Sequence, residues 1–283
     1  MTARAELTAA DVQVFAPYRA GLPRLGPYLR QLWDRRAFAR EMARTQLRTQ
    51  NFDTVLGQVW LVLNPLLLTG VYYLLVSIIS PGRGGPEKLA HIMAGLFAFY
   101  FFSGCVSTGA ASIVSSGKLI LNTAFPKLLL PLSSVLVSLF RFLPTLIIYA
   151  IMHLVVGLGF GWNMFYALPA FLALIVFATG CAMIFATLNV YFRDTRSFLP
   201  YILRIWLYVS PILYYAQDVP SSMQWIKYVN PLFPMIGTWG DALVRQDAPA
   251  AWMLPAGAAW AAAALLAGGF LLMSREREFA VRI

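Results

Sequence analysis

Apolar residues run almost unbroken near 55–80, 89–113, 128–157, 165–190, 198–217 and 250–273. Each run is close to the ~20 residues that a helix needs to cross a bilayer core of about 30 Å. The pattern predicts an all-α integral membrane protein with six transmembrane helices. Between the fifth and sixth runs it changes character. The stretch SPILYYAQDVPSSMQWIKYVNPLFP, Ser210 to Pro234, is too apolar for an ordinary surface loop, yet Pro211, Pro220, Pro231 and Pro234, with Asp218 and Lys227, rule out a continuous spanning helix. Irregular backbone at membrane depth is tolerated only where protein or a water-filled cavity surrounds it. Short re-entrant helices over Ser221–Val229 and Pro234–Leu243 are therefore expected here, packed at the mouth of a channel. Tyr214 and Tyr215 suit the membrane interface; Met223 and Trp225 should dip inward, with Lys227 toward water. These four apolar or aromatic residues are the candidates for an external gate. The alternative is an interfacial loop lying flat on the membrane.

Ahead of the first span, Leu25, Leu29, Leu32 and Trp33 form one apolar stripe, and Arg36, Arg40, Arg44 and Arg48 recur every fourth residue. On one straight helix the two stripes would overlap, so a bend is expected. The object predicted is an interfacial amphipathic helix, arginines toward anionic lipid or a cytosolic partner. Residues 1–50 are thus read as a cytoplasmic arm with this helix, and 51–283 as the membrane domain. Glu6 and Asp11, without an apolar run, fit neither a secretory signal nor a transit peptide.

Composition agrees with the pattern: 59% of residues are hydrophobic and 12% charged, against ~25% charged in soluble domains. The net charge of +10 follows the membrane and is no sign of nucleic acid. With the N-terminus in the cytoplasm, sixteen of the 22 cations fall inside and four (Arg83, Lys88, Lys227, Arg245) outside. The positive-inside rule then places both termini in the cytoplasm. Arg141 and Arg204 remain within spans, where a charge costs at least ~2.5 kcal/mol unless it snorkels or is paired. Arg204 lies close enough to the cytoplasmic edge to snorkel. Arg141 is too deep, and faces either a polar pathway or an anionic headgroup, or bonds a neighbour such as Ser138.

Few chemistries fit. Gly117-Lys118 is followed by Leu119, so the chain carries no GxxxxGK[ST] phosphate loop and any ATP use belongs to another subunit. Phe101-Phe102-Ser103-Gly104 lacks the first glycine of an intramembrane serine protease motif. Cys105 and Cys181 sit in apolar runs without metal or disulfide spacing, and His91 and His153 read as interfacial or internally satisfied. Asn64-Pro65 should bend the first span. Phe97, Phe99, Tyr100, Phe101 and Phe102 put rings on every face of the second, offering flat surface for sugars or simply for packing.

In order along the chain, Leu56-Gly57-Gln58-Val59-Trp60, Asn64-Pro65, Phe125-Pro126, Tyr191-Phe192-Arg193-Asp194, Ser210-Pro211-Ile212 and Asn230-Pro231 resemble the permease subunits of ABC exporters of polysaccharides and lipid-linked glycans, the O-antigen, capsule and teichoic-acid kind. The resemblance covers roughly residues 35 to 275. It implies a homodimeric channel in the bacterial inner membrane, with two copies of a cytoplasmic ATPase that bind ATP and Mg, no cofactor in this chain, and a polyprenyl-diphosphate-linked glycan as substrate. The amphipathic helix, with Arg36 and Arg40, and the turn from Ser115 to Phe125, with Lys118 and Asn122, would touch the ATPase; Arg193 and Asp194 would mark the second cytoplasmic turn. Phe97, Tyr100, Phe101, Arg141 and Arg204 are the channel candidates, although Arg141 has no counterpart in the family pattern. An exporter of drugs or lipids is the nearest alternative. An ion-coupled secondary carrier would want intramembrane carboxylates or inverted repeats, and a glycan-processing enzyme would want converging acid and base groups.

Overall fold

The computed structural model describes residues 23–49, 59–79 and 85–283, and all their regular structure is helical. Arg4, Arg19, Arg83 and the Leu56-Gly57-Gln58 part of the first motif lie outside the described residues. Helix α1 (Leu25–Asp34) and α2 (Arg36–Thr49) meet at Arg35, whose backbone leaves the helical region (φ −95°, ψ 14°), giving the expected bend. Leu25, Leu29 and Trp33 are exposed on α1, while Ala39 and Ala43 are buried where α2 packs on α6. Most of the apolar stripe is thus left uncovered, Leu32 alone being partly buried, and Ala39 and Ala43 with Phe38 and Met42 make the contact of α2.

Next come α3 (Trp60–Ile79), α4 (Pro86–Ser115), α5 (Gly117–Asn122), α6 (Leu129–Val156) and α7 (Ala167–Tyr191). Proline in the first turn of α4 sits where its missing amide hydrogen has no helical partner to lose. Gly157, at φ 74°, ends α6 in the left-handed conformation that suits glycine. After α8 (Thr195–Val209) the chain forms the short α9 (Ile226–Val229), then α10 (Leu232–Gly240), which runs on as a wider π-turn over Asp241–Arg245. It ends with α11 (Met253–Arg275) and α12 (Phe279–Arg282).

Five stretches are helical, long and apolar enough to cross a membrane: Val62–Ile79, Pro86–Ser115, Leu129–Val156, Trp162–Tyr191 and Met253–Arg282. The run at 198–217 falls short of that. Helix α8 has 15 residues, about 22 Å at 1.5 Å per residue. It stops because Pro211 lacks an amide hydrogen and disfavours helical backbone before it; Ser210 is accordingly extended (φ −88°, ψ 150°). The short helices that follow lie close to the expected places, Ile226–Val229 and Leu232–Gly240, preceded by 3₁₀ turns at Ala216–Asp218 and Ser221–Met223.

Helix α4 is the axis of the bundle, packed by α3, α6, α7, α8 and α10, as a helix apolar on all sides requires. Helix α3 is the least covered span, with Leu67, Val71, Leu74 and Ile78 exposed along it. Between α7 and α11 the backbones approach through small residues. A Cβ on Gly180 would overlap the backbone of Ala264 and Leu265, and one on Gly268 the carbonyl of Gly180. Asn189 adds a polar tie from α7 to α4, its Nδ2 donating to the Ala110 carbonyl at 2.9 Å. Replacing Gly180 by valine is expected to force α7 and α11 apart and cost about 1–3 kcal/mol, read as a lower unfolding temperature in detergent. Gly269→Ala, whose Cβ would meet only Met273 Cε at 3.8 Å, should leave that temperature unchanged. Equal behaviour of the two variants would contradict the close packing.

Candidate functional site

Three places carry most of the polar chemistry. The first is a cavity of about 380 Å³ between α3, α4 and α6. Ser138, Arg141, Phe142 and Thr145 are spaced three and four apart and so share one face of α6. Opposite stand Phe97, Tyr100, Phe101 and Gly104 of α4, with Trp60, Asn64 and Pro65 of α3 closing the side. Arg141 Nε is buried and has no hydrogen-bond partner among the described residues. Ser138 does not take it up: its hydroxyl donates to the Ser134 carbonyl at 3.1 Å, and that of Thr145 to the Phe142 carbonyl at 2.7 Å. Of the expected ring cluster, Phe97, Tyr100 and Phe101 line the cavity. Phe102 instead stacks on Phe177 (5.7 Å) and meets Trp206 edge-on (5.2 Å), and Phe99 is buried beside it. Sequence spacing alone does not separate these roles, because every face of α4 carries a ring.

Arg204 is elsewhere, exposed on α8. It shares electrostatic reach with Tyr72 and Tyr100, and the Tyr72 and Tyr208 hydroxyls lie 3.5 Å apart. Tyr100 therefore stands between the cavity and this tyrosine-rich patch.

The second place is the segment after α8, which folds back along the bundle as a hairpin. At its tip the Asn230 side-chain amide is fully used. Its Oδ1 accepts from Trp206 Nε1 (2.8 Å) and from the Leu232 amide (3.0 Å), and its Nδ2 donates to the Val209 carbonyl and to Ser210 Oγ, both at 3.2 Å. The outgoing arm docks on α4: Trp239 Nε1 donates to the Ala94 carbonyl at 3.0 Å, and Gly240 leaves room for the His91 ring. At the far end Arg245 Nη1 donates to Gln217 at 3.0 Å. Tyr214 and Tyr215 are held inside this construction. The Tyr214 hydroxyl donates to the Val209 carbonyl at 2.5 Å, and the Tyr215 ring lies 4.3 Å from His91 and 4.0 Å from Lys88 Nζ. Met223 and Trp225 are exposed; Trp225 edges an apolar groove of about 430 Å³ shared with Ile205, Trp206, Val209, Ile226 and Val229. Both histidines have carbonyl partners, His91 at Tyr214 (3.2 Å) and His153 at Gly159 (3.1 Å).

The third place is the end of the bundle formed by α1, α2, α5, α12 and the turn before α6. Glu276 joins three chain segments: it accepts from the Tyr28 hydroxyl and from the Lys127 amide, each at 2.6 Å, just beyond the end of α11. Burial, reinforced by the Glu276 carboxylate, holds the Tyr28 phenol well above its ordinary pKa, so it stays a donor. Arg35 donates to the Ala124 carbonyl at 2.5 Å, and Phe38 packs on Phe125 at 5.3 Å. Phe125 is therefore buried under α2 and anchors that helix. Glu278 accepts from the Tyr191 hydroxyl at 2.6 Å and pairs with Arg275 and Arg282. Arg193 reaches the Arg282 carbonyl at 3.4 Å, and Ile283 packs against Gly117. Helix α12 thus lies between α5 and the end of α7, while Arg36, Arg40, Lys118, Asn122, Arg193 and Asp194 are all exposed around it. Sequence reasoning missed Tyr28, Glu276 and Glu278, because Arg275-Glu276-Arg277-Glu278 reads as a solvated charge run. The role of Asn230 was also missed, since Asn-Pro reads as a turn. Among the described residues no group of three or more His, Cys, Asp or Glu side chains converges on a metal site.

A family model described as ABC-2 type transporter matches residues 39–238. Three relatives are each named O-antigen export system permease protein RfbA. Two from Klebsiella pneumoniae are 29% and 28% identical over 200 residues, 70% of this chain and 77% of each relative. One from Myxococcus xanthus is 26% identical over 257 residues, 90% of this chain and 98% of the relative.

The Glu276 junction makes a direct prediction. Tyr28→Phe removes one hydrogen bond to a carboxylate, about 1.5–3 kcal/mol. Amide hydrogen exchange in α1 should quicken by at least about tenfold while α4 stays protected. Unchanged exchange in α1 would show that the junction does not hold the helix.

Proposed function

The chain belongs to the ABC-2 type transporter membrane family, and from that membership we infer that it is the permease subunit of an ABC exporter for an O-antigen-like polysaccharide. The observation that carries this reading is the similarity over 98% of the length of a relative named as an O-antigen export permease. The five apolar helices of spanning length support a multi-pass protein of the bacterial plasma membrane. ATP and Mg would be bound by a separate cytoplasmic ATPase.

The finer features proposed are these. Two copies of the chain enclose the pathway, each docked on one ATPase subunit. Both termini face the cytoplasm, in keeping with the sixteen-to-four division of cations. Exposed Arg36, Arg40, Lys118, Asn122, Arg193 and Asp194 meet the ATPase, and α12 carries the movement between the turns it touches. The hairpin from Ser210 to Arg245 is re-entrant from the outer side. Helix α10 and its π-turn run about 20 Å at helical rise, so a tip at Asn230 lies well below the Gln217–Arg245 contact. Met223 and Trp225, both exposed, with Trp225 at the apolar groove, are where the second copy closes the exit; Tyr214 and Tyr215 act as fixed supports behind them. The substrate proposed is a polyprenyl-diphosphate-linked glycan.

In cells whose surface glycan depends on this chain, its removal should leave lipid-linked glycan on the cytoplasmic side, and a restored copy should return it to the surface. The tagged chain should co-purify with an ATPase in equal number. In the same cells, cysteine at Ser222 should react with an impermeant thiol reagent from outside and cysteine at Ser274 should not. Unchanged surface glycan after removal would overturn the function, and reversed labelling would overturn the orientation.

A further inference from the structure

Resting on the export reading above, we propose that the cavity around Arg141 is a transit site for the phosphate-bearing headgroup of the lipid-linked substrate, with the guanidinium as its anion ligand. Arg141 stands about 18 Å along α6 from Leu129 and about the same distance from His153, counted at 1.5 Å per residue. It is therefore near the middle of the span, out of easy reach of either headgroup layer. A cation at that depth is costly and is retained where it faces a partner or a polar pathway. Its Nε is buried without a hydrogen-bond partner among the described residues, and no Asp or Glu lies among the described residues that line the cavity. The lining supplies one positive charge and no negative one.

A guanidinium presents its donors in a planar fork that matches two oxygens of a phosphate, and such charge-assisted pairs are strongest where water is scarce. Trp60 and Tyr100 add flat faces beside the charge, the surface a sugar attached to a diphosphate would meet. Depth separates the two sources of a phosphate headgroup. A resident anionic phospholipid keeps its phosphate at the membrane surface, about 15 Å from the centre of a 30 Å core. A diphosphate being carried across must pass that centre. The site therefore fits the moving substrate, and the lateral position of the cavity against the sparsely covered α3 leaves a side on which the lipid chain can remain in the bilayer.

The test uses the assembled permease and ATPase in nanodiscs of zwitterionic lipid, with a diazirine-bearing farnesyl diphosphate as probe. In the unaltered complex the label should fall on residues 97–104 and 138–145. Unlabelled farnesyl diphosphate should displace it, whereas farnesol and phosphatidylglycerol should not. Arg141→Gln should lower the labelling by about tenfold, the loss of a charge-assisted bond, and Arg141→Lys should fall between, with assembly of both variants checked by the co-purified ATPase. Labelling elsewhere in the unaltered complex would overturn the site whether or not the variants fold. Displacement by phosphatidylglycerol as strong as by the diphosphate would overturn it in favour of a resident lipid. Equal labelling of Arg141→Gln would remove the guanidinium from the account. A failure of the export reading is seen separately, as surface glycan that persists without the chain.

Discussion

Buried backbone amides and carbonyls have no water to turn to, so a chain that breaks its helix among packed helices must satisfy those groups with its own side chains. Asn230 does this for the segment after α8. One amide group accepts from Trp206 and Leu232 and donates to Val209 and Ser210, closing the broken end of α8 onto the start of α10. Without it, the Val209 carbonyl would keep only the Tyr214 hydroxyl as a side-chain donor, and the indole of Trp206 would lose its acceptor. The interruption imposed by Pro211 thereby becomes a fixed corner. From that corner α10 lies along α4 and α7, so the position of the hairpin is set by the same helix that lines the Arg141 cavity.

The opposite end is organised by carboxylates. Glu276 and Glu278 follow α11 and collect Tyr28, the Lys127 amide, Tyr191, Arg275 and Arg282. Hydrogen bonds from a phenol or an amide to a carboxylate are about twice as strong as neutral ones. The surface ion pair between Arg275 and Glu278 adds little by comparison. These contacts tie α1, the turn before α6 and the end of α7 to the segment that follows α11.

Much of this was legible in the chain. The spans at α3, α4, α6, α7 and α11 followed from long apolar runs, and the bend at Arg35 from two stripes that cannot share one helix. The short helices between 221 and 243 followed from proline spacing in an apolar stretch. The length of α8 was misjudged because hydropathy continues past Val209 while the helix ends at Pro211; composition reports the environment and proline reports the geometry. Roles within the ring cluster of α4 could not be read, since which ring faces a cavity depends on neighbours distant in sequence. The burial of Phe125 could not be read either, because the Phe38 ring that packs on it comes from a helix distant in sequence. Glu276 and Asn230 were hidden for a related reason: charged and Asn-Pro segments look like loops until their long-range partners are known.

The placement of the segment after α8 depends most on the Asn230 corner, and amide hydrogen exchange of the complex in nanodiscs tests it directly. Asn230→Ala removes four hydrogen bonds at about 1 kcal/mol or so each. Exchange at residues 226–236 should then rise by about tenfold or more, with α4 and α7 as protected as before. Exchange there that is unchanged from the unaltered chain would mean that the hairpin is held by something else, and the central claim would be wrong.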